Sequence, residues 1–155
     1  MNIKEIIAAR AAKELKNGDI VNLGIGLPTM IPEFLSKEIE VTIHAELGIV
    51  GAGGCPDEKE AHYAPYHITD AGGVPSSVAV GGAFTDSAAN FGLIRGGHVD
   101  VCILGALEVD QDGNLANWII PGKKCLEWAG PWICVSVPKG ALLRWSILPE
   151  GGPKF

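Results

Sequence analysis

Four short apolar runs in this chain each end on glycine: "IVNLGIG" at 20–26, "VTIHAELG" at 41–48, "SSVAVGG" at 76–82 and "VDVCILG" at 99–105. Runs of this length, rich in branched residues, suit strands and are too short for helices. Between them lie segments of helical character, so strands alternate with helices. That pattern implies an α/β fold with an open, mainly parallel sheet flanked by helices. In such sheets ligands gather outside the carboxyl ends of the strands, where the glycine turns collect.

The helical segments are bounded by local signals. Residues 2–16 read as a helix with Ile3, Ile6, Ile7 and Leu15 on one stripe, stopped by "NGD" at 17–19. "LPTMIPEFLSK" reads as a second helix, with Pro28 and Pro32 near its first turn. "TDSAANFGLIRGG" is a third, with Thr85 or Asp86 as N-cap and Gly96 as its stop. "EVTIHAE" alternates, with Val41, Ile43 and Ala45 on one side and Thr42, His44 and Glu46 on the other. Residues 52–72 are polar and proline-containing and read as a surface loop, and Asp112-Gly113 as a turn.

The chain has 155 residues, 47% hydrophobic and 19% charged, which is enough apolar material for the core of one domain. A net charge of −6 argues against nucleic acid or an anionic membrane as partner. The start lacks the apolar centre of a signal peptide, and no later stretch is long enough to span a bilayer. Four cysteines without CxxC or zinc-like spacing read as free thiols in a cytoplasmic protein, and no metal site is expected.

Glu46 stands out because it follows an alternating run and directly precedes a glycine turn. It is either a solvent-facing strand end or a nucleophile held at the mouth of a pocket. His44, on the same side, reads as a structural histidine sooner than a base. "GIGLP" lacks the third glycine of a dinucleotide fingerprint. It remains open between a turn without a ligand and a loop that binds an anion or thioester. Asp57 and Glu58 read as solvated loop charges, and Arg95 as a helix-end cation.

Taken in order, "GDIVNLGIGLPT", an E-x-G after the next strand, "FTDSAANFGLIRGGHVDVCILGALEV" and "GNLANWIIPGK" carry a resemblance. The chain resembles the B (beta) subunit of family I coenzyme A-transferases, which act on acetate, butyrate, acetoacetate and other 3-oxoacids. The resemblance covers residues 2 to about 124. It implies that Glu46 is the nucleophile of the family's Ser-Glu-Asn-Gly motif, with Ala45 in place of the serine and Leu47 in place of the asparagine. It places Gly24, Gly26, Pro28, Gly48 and Asn117 in the substrate- and CoA-binding set. It also implies transfer of CoA between an acyl-CoA thioester and a short-chain carboxylic acid through a glutamyl-CoA intermediate. Coenzyme A would be substrate, with no cofactor, and the partner a homologous A (alpha) subunit with the active site between the two. The fold so implied is the one shared with ribose-phosphate isomerases and glucosamine-phosphate deaminases.

From residue 125 the character changes. The last 31 residues hold three of the four tryptophans, and Pro131, Pro138 and Pro149 interrupt every candidate element. The family continues instead with segments like "VPGMGGAMDL" and "GAKKVIVAMEHTA". The genetic code connects the two. Joining the last base of each codon to the first two of the next turns Trp128-Ala129 into glycine and Trp132-Ile133 into aspartate without freedom. Permitted codons elsewhere give V-P-G-M-G-G-A-M-D-L-C-V-G-A-K from Lys124 through Lys139. Residues 125–155 therefore read as an out-of-frame tail on an incomplete domain, 1–124. Two alternatives to an active transferase follow: an inactive truncated fragment and, more remotely, a sugar-phosphate isomerase-like enzyme.

Overall fold

The structure is a computed structural model that describes residues 2–56, 68–70, 73–106, 108–112, 115–116 and 141–146. Asp57, Glu58, Asn117 and the boundary at Lys124 lie outside the described residues. Six strands form one sheet in the order β4-β3-β2-β1-β5-β8, from β1 (Ile20–Leu23), β2 (Thr42–Ala45), β3 (Ile49–Ala52), β4 (Val78–Phe84), β5 (Val101–Ala106) and β8 (Ala141–Ser146). β1 runs parallel to both β2 and β5, and β5 parallel to β8, whereas β3 and β4 are antiparallel additions at the other edge. The sheet is open and mixed, with its parallel part at the centre. A short antiparallel ribbon joins β6 (Glu108–Val109) to β7 (Leu115–Ala116).

Helix α1 (Ile3–Ala12) opens with a capping box: Asn2 Oδ1 accepts from the Glu5 N–H at 3.0 Å, and the Glu5 carboxylate accepts from the Asn2 N–H at 2.8 Å. Its buried face meets the stripe expected from sequence at Leu15 and, half-buried, at Ile7, but not at Ile3 or Ile6. Ala8, Ala11, Ala12 and Leu15 are buried, while Ile3 and Ile6 are 71% and 55% exposed. The alanines fall at i, i+3 and i+4 and share one buried cluster with Val21, Leu23, Ile31, Val101 and Ile103.

Leu27–Phe34 is a 3-10 helix and not an α-helix. In α geometry the Pro32 ring would meet the carbonyl four residues back, and Pro32 has no N–H to donate to it. Tighter turns accommodate both prolines and carry Ile31 into the α1 side of the core. On the opposite face α2 (Ser87–Arg95) packs Ile94 against Cys102 and Leu104. Its ends match expectation, with Asp86 Oδ1 accepting from the Ala89 N–H at 2.8 Å and Gly96 at the C-cap.

The "GGHVD" segment ties the start of β5 to β1. Asp100 Oδ2 accepts from the Ile20 N–H at 2.9 Å, and the Asp100 N–H donates back to the Ile20 carbonyl at 2.9 Å. Within the tail, where proline spacing argued against any element, residues 141–146 pair in register with β5 from Val101 to Ala106. No helix among the described residues is long and apolar enough to cross a membrane. Cys55 is exposed and Cys102 buried, and neither is joined in a disulfide among the described residues.

Candidate active site

β1 and β2 are parallel, so their carboxyl ends reach the same sheet edge. The first leads into Gly24-Ile25-Gly26 and the second into Glu46-Leu47-Gly48. This edge therefore collects Gly24, Gly26, Glu46 and Gly48, while Pro28 is buried within the 3-10 helix packing. The chain does not leave β2 for a helix. It turns back at once into β3, with His44 opposite Val50 and Ala45 opposite Ile49. Glu46 is thus the first residue of a hairpin turn, half-buried beside an exposed neighbour, Leu47.

The turn is held from α2. Gly48 has φ +136°, and a Cβ there would stand 2.6 Å from the Thr85 carbonyl oxygen. The Thr85 N–H donates to the Gly48 carbonyl at 2.9 Å. Buried Asn90 donates through Nδ2 to the Ala45 carbonyl at 2.6 Å and accepts from the Thr85 hydroxyl at 2.5 Å. Gly24 serves a parallel purpose beside β5, since its N–H donates to the Ile103 carbonyl at 2.8 Å and a Cβ would lie 3.2 Å from that oxygen.

Asn22 is the site residue that sequence reading missed. It sits in β1, in register with His44 of β2, and is 1% exposed. Its Nδ2 lies 3.0 Å from Glu46 Oε2, 3.1 Å from His44 Nδ1 and 3.2 Å from the His44 carbonyl oxygen. A signal existed, because an asparagine inside the apolar run "IVNLG" must have a buried partner or a function. The amide donates to one carboxylate oxygen of Glu46, Oε2, and so ties the first residue of the turn to β1.

His44 is equally buried, and its Nε2 has no hydrogen-bond partner among the described residues. An unsatisfied buried donor costs about 1–3 kcal/mol. Burial pushes the His44 pKa below its ordinary 6.5; the Glu46 carboxylate and an Asn90 backbone contact pull upward only in part, and neither gives Nε2 an acceptor in hydrogen-bonding geometry. The unfolded chain therefore takes up this proton at a higher pH than the folded one. The stability contributed is fully present above about pH 6.5 and is lost as pH falls below it. Denaturant midpoints should fall from about pH 7.5 to about pH 5.5, and the fall should be smaller in His44→Gln, which cannot titrate.

An open hollow of about 1230 Å³ runs along the sheet past Met30, Glu33, Ile43, Val50 and Cys55. Neither Glu46 nor the Gly24-Gly26 turn lines it, so the carboxylate lies at an edge and outside this hollow. The rim beside Glu46 is apolar, with Ile25 56% and Leu47 65% exposed.

Residues 4–140 match the coenzyme A transferase family. The chain is 51% identical over 152 residues to the acetate CoA-transferase subunit beta of Haemophilus influenzae, covering 98% of this chain and 66% of that protein. It is 50% identical over 123 residues to the acetate CoA-transferase subunit beta of Escherichia coli, covering 79% of this chain and 54% of that one. The chain thus spans between about half and two thirds of the length of these relatives. The family match and the first alignment both continue past Lys124. A crystal structure of an Escherichia coli acyl-CoA transferase, described as a thioester complex with CoA, superposes with a TM-score of 0.62 at 26% identity, covering 93% of this chain and 24% of that one.

Proposed function

The chain belongs to the coenzyme A transferase family, and from that premise we propose that it is the B-type half of an enzyme that moves CoA between an acyl-CoA and a short-chain carboxylic or 3-oxo acid, with Glu46 as nucleophile. One observation carries the assignment of Glu46. It is a half-buried carboxylate at the carboxyl edge of the parallel strands, with an amide donor 3.0 Å from Oε2.

The chemistry suits these groups. Glu46 attacks the thioester carbonyl; the C–S bond breaks and CoA leaves as a thiolate, giving an acyl-glutamyl anhydride. The thiolate then attacks the glutamyl carbonyl and expels the acid as carboxylate, leaving a glutamyl-CoA thioester. An incoming acid reverses both steps and departs as its CoA ester. This is covalent catalysis of the ping-pong kind. When the glutamyl carbon becomes tetrahedral, negative charge develops on an oxygen that the Asn22 amide can reach. A preorganised donor in that position is worth about 3–4 kcal/mol.

Support for the glutamyl-CoA intermediate comes from the related Escherichia coli enzyme, whose structure is described as a CoA thioester complex. Support for an A-type partner comes from the subunit-beta names of the relatives, and the exposed Ile25 and Leu47 beside Glu46 are apolar surface for such a subunit to cover. The test is to incubate the chain and its A subunit with acyl-CoA and no acceptor acid, then digest. CoA should be found esterified on the peptide containing Glu46, and CoA on another peptide would remove the assignment.

A second reading, that this chain is an inactive fragment, rests on the codon relation between residues 125–155 and the family's "GMGGAMD" segment. Lys123-Lys124 can be written AAA AAG, and loss of one adenine from a run accounts for the change of frame. The nucleotide sequence should show that run, and one inserted base should open a frame through GMGGAMD and EHTA-like segments well beyond codon 155. Stop codons soon after the insertion would reject the frameshift.

A further inference from the structure

The Asn22 Nδ2 group has two hydrogens and three acceptors around it: Glu46 Oε2, His44 Nδ1 and the His44 carbonyl. A carboxylate and a carbonyl accept in any state. The ring nitrogen accepts only while it carries no proton. If Nδ1 held a hydrogen, two donors would face each other across 3.1 Å, and the amide would turn over to present Oδ1. That oxygen would then face Glu46 Oε2 with no hydrogen between them.

The other side of the ring supplies an independent sign. In neutral His44 with Nδ1 as acceptor, the ring proton sits on Nε2, and Nε2 is the buried atom without a partner among the described residues. The unmatched donor is the consequence of keeping Nδ1 free for Asn22. The ring is buried and its pKa is lowered, so it stays neutral. The Asn90 side chain does not compete for the ring, being engaged with the Ala45 carbonyl and the Thr85 hydroxyl, and the Asn90 backbone gives Nε2 no acceptor in hydrogen-bonding geometry.

We propose, on the reading that Glu46 is the nucleophile, that His44 is a positioning residue whose unprotonated Nδ1 holds the Asn22 amide with its nitrogen toward Glu46. The tautomer of His44 thereby decides whether the reacting carboxylate meets a donor or a lone pair. In this role His44 acts through Asn22 and transfers no proton.

Two measurements test this. With the chain paired to its A subunit, His44→Leu removes the acceptor, and kcat should fall about 50-fold while the KM for acyl-CoA stays within about threefold. His44→Gln, whose amide oxygen can take the Asn22 hydrogen, should keep kcat within about fivefold of the parent. A purely packing role would favour leucine at this buried site, so equal kcat in the two variants, whether retained or lost, overturns the proposal. The second measurement needs no turnover. Nitrogen-15 NMR of the chain should show His44 with Nδ1 unprotonated and Nε2 protonated, and Asn22→Leu should shift the Nδ1 resonance far more than Nε2. A ring protonated at Nδ1, or an Nδ1 resonance indifferent to Asn22→Leu, overturns the proposal whether or not the protein transfers CoA.

Discussion

Glu46→Gln is expected to abolish CoA transfer, by about 10⁴-fold or more in kcat, while leaving the fold and the melting temperature essentially as they are. Glutamine matches glutamate in shape, and its carbonyl oxygen can still accept from Asn22 Nδ2 in place of Oε2. What it lacks is the anionic nucleophile, so neither the anhydride nor the glutamyl-CoA thioester can form. Glu46→Asp keeps the charge but withdraws the carboxylate by one methylene from both Asn22 and the thioester. A loss of about 10²-fold is expected there, because reacting atoms must stand within about 3–3.5 Å. The assay is transfer between an acyl-CoA and an isotope-labelled acid by the chain with its A subunit, alongside mass analysis of the covalent adduct. Persistence of the adduct in the glutamine variant would move the nucleophile elsewhere.

Gly48→Ala is expected to lower stability by about 3 kcal/mol, the sum of left-handed backbone strain and a forced contact. Both parts are visible: φ is +136°, and the new methyl would stand 2.6 Å from the Thr85 carbonyl oxygen. Neither side can retreat easily, since the Gly48 carbonyl also accepts from the Thr85 N–H. For a chain of this size the melting temperature should fall by roughly 10 °C. Gly92→Ala in α2 is the control, because Gly92 is exposed, helical and has nothing within 4 Å of an added Cβ. It should be neutral or stabilise by up to about 1 kcal/mol. Equal melting of the two variants would mean that the hairpin turn does not rest on the start of α2.

The ends of α2 were legible because capping is local: Asp86 and Gly96 act within one turn of themselves. The strands at β1, β2, β4 and β5 were legible because their apolar runs and closing glycines lie within a few residues. α1 was found as a helix, but its buried face was misjudged. Large isoleucines look like core, yet the cluster shared by the 3-10 helix and the central strands takes in Ala8, Ala11 and Ala12 and leaves Ile3 and Ile6 exposed. β3 went unread because "IVGA" is too short to declare a pairing partner, and its direction follows only from the turn at Glu46–Gly48. β8 went unread because parallel pairing with β5 depends on residues about forty positions apart and not on a local period.

For the candidate site, the sequence by itself singled out a carboxylate: Glu46 follows an alternating run at the point where parallel strands present ligands, and the surrounding motifs resemble one family. Asn22 and His44 were equally visible as letters, but neither letter says which way a side chain points or what lies 3 Å away. Only the tertiary structure decided that, by setting β1 and β2 parallel with Asn22 opposite His44. Strand alternation then sends Asn22, His44 and Glu46 to one face, and the α2 side chain Asn90 pins the turn through the Ala45 carbonyl. A hydrogen-bond network built from three elements distant in sequence has no local signature, because its energy exists only once burial has removed water as the competing partner.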